Sequence, residues 1–552
     1  MPPGRSCGRL SIVRSVLEPA GVPAPERLVE SSHPPEARIH KWEARKDLGV
    51  VSAWIEAGTL PGDLVVDPFM GSGTAPLAAA RLGRRAIGID INPLAVELAR
   101  LGAAPPDPVA VREAFARIER RLRGENPRRV AVGDRDAAFR DLYAATCPCC
   151  RRPAELAHAV WSVHVACGCG AVTPAHALVR GGGRGTAGAR RCPSCGGLPA
   201  RGGDAYRGSE LFLLFVRCSS CGLQEAQPTA GDTALAAQLE IARAAADVWT
   251  PAGAPLRYPD GTPFAQLRHA LRARPVLDEL WTGRNWIATG LVAEAIDLEP
   301  EGVREALRVS LSSIVKATSR MPTVNSGGWR NKGTGLSSHL LGIFPMHLEQ
   351  NAWEEFERHV AKRLLPGLAA LRAAAPVRLV DEPREAGEIA LRQGASADVL
   401  AQLPAESVGF AFADPPYGDA VQYAELAYPQ LAWLARPLAG EALASRLGAW
   451  LQNVVAHEVV ENRAQGKGRD AFAQGLGEVL GQLRRVLRPG RAAVVTFNSP
   501  EESLVRLVTD RAIAAGLEPA GVHHQAAFKP SHKGAWHEGT ARGTLYLRFL
   551  RC

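Results

Sequence analysis

Asp67-Pro68-Phe69-Met70-Gly71-Ser72-Gly73-Thr74, preceded by the apolar run Leu64-Val65-Val66 and followed by a helical stretch from Ala75 to Leu82, reads as strand, glycine turn and helix. Glycines at 71 and 73 remove Cβ atoms that would keep a ligand off the backbone, and the first helical turn presents free N–H groups. The chain then passes through Gly83-Arg84-Arg85 into Ala86-Ile87-Gly88-Ile89-Asp90, a second short strand ending in an acid. An acid about 20 residues after such a turn commonly accepts hydrogen bonds from the hydroxyls of a ribose. The spacing is Gly-x-Gly with no third glycine three residues on, and an Asp-Pro-Phe precedes it, which argues against the dinucleotide fingerprint.

A second motif, Asp414-Pro415-Pro416-Tyr417, ends a predicted strand over Val408 to Ala413. The carboxylate and the Pro415 carbonyl can accept two N–H bonds, the Pro-Pro corner holds φ fixed, and Tyr417 can stack on a flat ring. These are the parts needed to hold a planar exocyclic amine. Residues 388 to 395 read as a further strand, Leu483 to Pro489 as the end of a helix, and Ala492 to Phe497 as a strand. The stretches 517 to 523 and 544 to 550 can complete a sheet. Alternation of strands and helices predicts an α/β fold with a mostly parallel, doubly wound sheet and a ligand crevice at the carboxyl ends of its strands.

Together the two motifs resemble those of the amino-methyltransferases of DNA that use S-adenosylmethionine, over roughly residues 40 to 100 and 385 to 550. The resemblance implies a Rossmann-like methyltransferase sheet. It implies that Asp67, Pro68, Phe69, Gly71, Ser72, Gly73 and Thr74 surround the methionine end of the cofactor. Asp90 would bind its ribose, Ile91 would pack on its adenine, and Asn92 adjoins them. Asp414, Pro415, Pro416 and Tyr417 would hold the target base. Many relatives place an acid just after the third strand to bond the cofactor adenine; Ala395 or Ser396 falls there, and Asp398 is the nearest substitute. The segment His40 to Lys46 resembles the family's extra cofactor-binding segment in position and in basic-aromatic character.

Nine of the eleven cysteines fall between 147 and 221. Cys192-x-x-Cys195 with Cys218-x-x-Cys221 has the spacing of a zinc ribbon, and Cys147, Cys150, Cys167 and Cys169 form a second set, with Cys149, His158 or His164 as alternates. Structural Zn2+, one or two ions, is expected. The competing reading, a disulfide cluster, fits poorly with Met1-Pro2-Pro3-Gly4-Arg5, which lacks the apolar core of a secretory signal and points to a reducing cytoplasm.

This organisation predicts a methyltransferase half over 1–140, a zinc-ribbon module over 141–230, a mainly helical target-recognition region over 231–375, and the second methyltransferase half over 376–552. The loop 325–335 mixes glycines, bases, amides and Trp329, and suits a phosphate backbone or the gap left by an extruded base. Arg284, Asn285, Lys316 and Arg320 are candidates for phosphate contacts. A net charge of +9 favours a polyanionic partner, and no segment is long and apolar enough to span a bilayer.

The expected function is methylation of an exocyclic base amine in DNA, with adenine N6 first because the resembling families pair an initial Asp with adenine more often. Cytosine N4 has the same geometry. The run Asp414 to Gly418 also resembles tRNA enzymes acting on guanine N2, so RNA stays open as a partner. The non-enzyme reading is a nucleic-acid-binding protein whose methyltransferase fold has lost activity, which the intact motifs disfavour. A partner nuclease or defence-system protein is unknown, and no nuclease motif is apparent.

Overall fold

In a computed structural model of the chain, residues 34–42, 45–180, 190–200, 205–324, 334–335, 340–416, 421–434, 443–497, 502–526 and 543–552 are described. The strands that organise the molecule are β1 (Leu64–Asp67), β2 (Arg85–Asp90), β3 (Pro153–Ala166), β4 (Tyr206–Cys218), β5 (Met346–Gln350), β6 (Glu388–Gln393), β7 (Val408–Ala413), β8 (Leu487–Phe497), β9 (Glu518–Ala526) and β10 (Gly543–Leu550). The helices that concern the site are α1 (Leu48–Gly58), α2 (Thr74–Arg81), α3 (Pro93–Ala103), α4 (Gly283–Asp297), α5 (Tyr423–Leu434), α6 (Leu443–His457), α7 (Arg469–Val486) and α8 (Glu502–Ala514).

The first sheet has the order β6-β2-β1-β7-β8-β10-β9, with the two-residue strand Arg378–Leu379 on the β6 edge. Pairings from β6 to β8 are parallel, and β10 runs antiparallel to both β8 and β9. A parallel sheet must be covered on both faces, so its strands read as continuous apolar runs: every residue of β7, Val-Gly-Phe-Ala-Phe-Ala, is buried. Successive side chains divide between the two faces. Val66, Ile87 and Val408 meet Leu400, Phe472, Leu476 and Leu480 of the helix Ser396–Gln402 and of α7. Val65, Ala86, Phe410 and Phe412 meet Trp54 and Ile55 of α1 and Ala78 of α2. Each such large side chain contributes about 1.5–3 kcal/mol on burial. Strand order reverses between β1 and β7, and there a doubly wound sheet opens a crevice at its carboxyl edge.

The segment between β2 and β6 builds a second, largely antiparallel sheet around β3 and β4, which pair along most of their lengths from Tyr206↔Val165 to Arg217↔Glu155. The expected division at residue 230 cuts through this sheet, because β5 pairs antiparallel with β3 from Met346↔Ser162 to Gln350↔His158. Residues 231–375 are therefore not only helical. Strand β5 was not legible because its partner lies far earlier in the chain, and its five residues, with apolar side chains only at Met346 and Leu348, are too short a run of alternation to read. Helix α4 runs through the interior, with Arg284 and Asn285 4% and 0% exposed. Asn285 Nδ2 donates to the carbonyls of Thr318 and Gln350 at 2.7 and 2.8 Å, and Arg284 Nη1 pairs with Glu349 at 3.0 Å. Lys316 is buried as well. These three residues are core, which corrects the expectation of phosphate contacts. The loop 325–333 lies outside the described residues. Among the described residues no helix is long and apolar enough to cross a membrane.

Candidate active site

β1 ends on Asp67, and the turn that follows is fixed by its own carboxylates. Asp67 Oδ1 accepts from Phe69 N at 3.0 Å. Asp90, at the end of the neighbouring β2, accepts from Gly71 N at 2.9 Å through one oxygen and from Asn92 N at 2.8 Å through the other. Gly71 and Gly73 have φ of +51° and +86°, the region where a Cβ is disfavoured. A Cβ at Gly71 would lie 2.6 Å from Trp42 Nε1, and one at Gly73 2.7 Å from the Ala99 methyl. The glycines thus let the turn pack against Trp42 and α3, a reason for their presence beyond ligand access. Gly73 offers α2 no side-chain cap, so the first N–H groups of the helix open into the cleft beside Thr74 and Ala75.

Parallel pairing of β1 with β7, Val65↔Phe410 and Val66↔Ala411, carries Asp414 to the same sheet edge as Asp67, although the two are far apart in the chain. One cleft of about 880 Å³, open mouth included, is lined by Asp67, Pro68, Phe69, Gly71, Ser72, Thr74, Asp90, Ile91, Asp414 and Pro416. That size suits a nucleoside-sized ligand. Asn92 caps α3, its side chain accepting from Leu94 N at 3.0 Å. Tyr417 lies outside the described residues. Asp414 Oδ1 is held by Thr496 Oγ1, which donates at 2.5 Å, and by the Lys46 ammonium at 3.0 Å.

Trp42, Arg45 and Lys46 of the segment singled out before the first strand line the cleft, and so do three residues that no motif announced: Tyr423, His457 and Glu458. Trp42 and Tyr423 stack at 6.1 Å between ring centroids, bringing the segment before α1 against the start of α5. Glu458 carries no motif and arrives only because α6 ends at the cleft. Ala395 and Ser396 line it too, with Ser396 Oγ donating to the Pro68 carbonyl at 2.5 Å, whereas the Asp398 side chain is 67% exposed and is not part of the lining. Asp398 is thus no substitute for the missing acid.

Acid dominates the electrostatics of the cleft. Burial raises the Asp67 carboxyl well above its usual range, with Asp414 and Asp90 adding to the effect. Burial pushes Asp90 up to about 6, against the two backbone N–H bonds that favour its charged form. Glu458 is pushed up to about 7, again chiefly by burial, and Lys467 draws it back. Such a site favours a cationic ligand or one rich in N–H donors.

The cysteines form two groups of four, with Sγ atoms within 4.8 Å of one another: Cys147, Cys150, Cys218 and Cys221, and Cys167, Cys169, Cys192 and Cys195. The pairing expected from sequence proximity, Cys192 and Cys195 with Cys218 and Cys221, is corrected. β3 and β4 are antiparallel, so residues before one strand meet residues after the other. Observed Sγ separations of 3.5 Å for Cys150 and Cys218, and 3.6 and 3.9 Å for Cys167–Cys195 and Cys169–Cys192, fit the edge of about 3.8 Å that Zn–S bonds of about 2.3 Å give a tetrahedron. All ten described cysteines are free. His158 is buried in the sheet and stacks on Phe215, and His164 faces Glu210 at 3.1 Å; neither belongs to a four-cysteine group.

A family model described as DNA methylase matches residues 24–101. The resemblance to the S-adenosylmethionine-dependent DNA amino-methyltransferases holds. The chain is 40% identical over 67 residues to Type II methyltransferase M2.DpnII of Streptococcus pneumoniae, covering 11% of this chain and 25% of that one. It is 44% identical over 61 residues to Type II methyltransferase M.BsoBI of Geobacillus stearothermophilus, covering 10% and 12%. The chain thus spans a quarter or less of the length of these relatives. A Thermus thermophilus protein described as a DNA modification methylase, solved with S-adenosyl-L-methionine, aligns at 17% identity and TM-score 0.17 over 29% of this chain and 53% of that one. An overlap that weak carries no argument about the fold, which rests on the strand order itself.

Proposed function

We propose that the chain methylates an exocyclic amine of a DNA base with S-adenosylmethionine, and that the base is adenine, modified at N6. The observation that carries this reading is the meeting of the turn at Asp67 and the turn at Asp414 on adjacent strand ends in one acid-lined cleft.

The residues present fit the cofactor. The uncapped first turn of α2 and the Arg45 guanidinium suit its carboxylate, Asp90 suits ribose hydroxyls, and Ile91 and Phe69 offer apolar faces to a purine ring. Bound there, it supplies a methyl group on a sulfonium. Asp414 and the Pro415 carbonyl accept the two N–H bonds of the amine, whose lone pair is otherwise delocalised into the base. The pull toward tetrahedral nitrogen frees that lone pair, and the bond to the carboxylate is worth about 1.5–3 kcal/mol. Lys46 and Thr496 orient Asp414 through its Oδ1. In duplex DNA the base leaves its stack to reach this turn. The two cysteine groups would hold structural Zn2+, closed by four thiolates each and taking no part in the reaction.

Incubation with methyl-labelled cofactor and separate duplex DNA and tRNA substrates, followed by nucleoside separation, tests the reading. N6-methyladenine from DNA is the expected product. N4-methylcytosine would move the assignment to cytosine, and N2-methylguanine from tRNA alone would overturn it.

A further inference from the structure

The formal charge of the chain is unevenly placed. Between Glu155 and Asp204 lie 48 residues without one Asp or Glu, although the two types together number 56 in 552. Five arginines, Arg180, Arg184, Arg190, Arg191 and Arg201, give this stretch +5 of the net +9 in less than a tenth of the chain. It contains the group of Cys167, Cys169, Cys192 and Cys195, which gathers where β3 ends. A Zn2+ closed by four thiolates has a net charge of about −2, so about +3 would remain with the metal bound. Arg184, Arg201 and the Arg180 side chain lie outside the described residues, but the other two arginines stand beside the cysteines. The short strand Arg190–Arg191 pairs with Val179–Arg180 and runs directly into Cys192. Exposed Arg190 donates through Nη1 to the Ala175 carbonyl at 3.0 Å, and half-buried Arg191 donates through Nη1 to the Gly196 carbonyl at 2.9 Å. Each bond uses one of the five N–H donors of a guanidinium and leaves its charge uncompensated. Neither arginine forms an ion pair among the described residues. Glu210 of β4 faces His164 at 3.1 Å and His176 at 3.6 Å instead. At the other end of the strand pair, by Cys147, Cys150, Cys218 and Cys221, the charges are matched: Arg123 pairs with Glu155 at 2.7 Å and Arg217 with Glu354 at 2.9 Å.

We propose that the end of the β3–β4 pair closed by Cys167, Cys169, Cys192 and Cys195 docks on the phosphate backbone of the DNA, with Arg190 and Arg191 as its contacts. Phosphate oxygens only accept and carry negative charge, which is what uncompensated guanidiniums take. An anionic membrane offers the same charge, but binding there calls for an amphipathic helix or a lipid anchor, and the described part of this stretch is short strands and turns. The proposal rests on DNA being the substrate. It adds to the cleft a second contact, made by the insertion, that positions the duplex without reading its sequence.

Paired variants test it. Arg190→Gln with Arg191→Gln removes both charges, while Arg151→Gln with Arg152→Gln removes two exposed charges at the opposite end of the strand pair. Affinity for duplex DNA is measured from about 50 to 200 mM salt, and zinc content alongside. Each lost phosphate contact lowers the slope of log affinity against log salt by about 0.9, so the first pair should lower it by about 2 and weaken binding roughly 30-fold near 150 mM. The loss should be alike for every duplex sequence and appear in KM for DNA rather than in kcat, with zinc content as in wild type. The second pair should keep the wild-type slope. A slope unchanged in the first pair, or lowered equally in both, overturns the proposal. Arg190→Lys with Arg191→Lys guards against a loosened cysteine group: the lysines should bind nearly as wild type does, and a loss equal to that of the glutamines would make packing the cause and overturn the proposal. Tighter binding to vesicles of anionic lipid than to duplex DNA would overturn it too. Should wild type bind S-adenosylmethionine yet no DNA, the parent reading fails and this one falls with it.

Discussion

Asp414 is where the proposed chemistry concentrates, and its neighbours set what a substitution does. Thr496 and Lys46 hold one carboxylate oxygen, so Asp414→Ala removes an oriented acceptor and leaves Lys46 to relax into the cleft. Loss of one charged hydrogen bond predicts a fall in kcat of roughly 10- to 150-fold. Cofactor affinity should change far less, because the proposed methionine and ribose contacts lie on the Asp67 and Asp90 side; single-turnover kinetics with calorimetry separates the two. The acids of the cleft give a second prediction. Asp90 and Glu458 have carboxyls raised to about 6 and about 7, so both are largely neutral at pH 5 and charged at pH 8. Charged carboxylates attract a sulfonium, and S-adenosylhomocysteine differs by carrying a neutral sulfur. The preference for S-adenosylmethionine over S-adenosylhomocysteine should therefore rise several-fold from pH 5 to pH 8 in paired titrations. A flat ratio would remove these acids from the sulfonium's surroundings. The same raised carboxyls bind their protons more tightly folded than unfolded. Their contribution to stability therefore declines as pH climbs from the ordinary carboxylate range through 6 and 7, and does not change further above that.

At the scale of elements, α5 shows how the insertion steadies the turn proposed to bind the base. It begins at Tyr423, a short way past Pro416, and its Glu425 is fully buried. That carboxylate accepts from the Tyr258 hydroxyl, from Ala265 N at 2.9 Å and from Gln266 N at 2.8 Å, while Asn462 Nδ2 donates to Tyr258 Oη at 2.8 Å and to Gln422 Oε1 at 2.7 Å. A buried charge with this many donors is satisfied, and its removal strands two backbone N–H groups. Glu425→Ala is expected to cost about 3–5 kcal/mol in denaturant unfolding, and Glu425→Gln clearly less because an acceptor remains. If the two variants unfold alike, the network is not what fastens α5. Glu425 also marks the limit of what the sequence reveals. The turns at 67–74 and 414–417 are legible because their chemistry is local: carboxylates bonding nearby N–H groups, glycines at positive φ, proline corners. Glu425 and Glu458 stand in ordinary helical surroundings, and their significance comes from Tyr258, Ala265 and the cleft, to which no short-range pattern points.

For the whole molecule, the same contrast decides how the cysteines are understood. The eight ligand candidates were legible as a set, since paired thiols at short spacing are rare in a chain with no other reason to cluster them. Their partition was not, because it depends on β3 and β4 being antiparallel, and each strand is 13 or 14 residues long. At about 3.3 Å per residue the two four-cysteine groups sit about 40 Å apart, one at each end of the strand pair. One clamp, with Cys147, Cys150, Cys218 and Cys221, closes the end where β3 begins; the other closes the end where it finishes. Metal content then gives a test that sequence-proximal pairing fails. Wild-type protein should carry two Zn2+ per chain by elemental analysis. Removing two thiols of one clamp, Cys218→Ser with Cys147→Ser, should leave one. Removing one thiol from each, Cys218→Ser with Cys192→Ser, should leave none or two weakly held ions that a mild chelator strips. Pairing by sequence proximity reverses these results, since Cys192 and Cys218 would then share a site and Cys147 and Cys218 would not. Loss of either clamp frees one end of β3 and β4 while β5 and the core around α4 still hold the middle of the sheet. Amide exchange should accordingly quicken at one end of the strand pair in each single-clamp variant, and at opposite ends in the two.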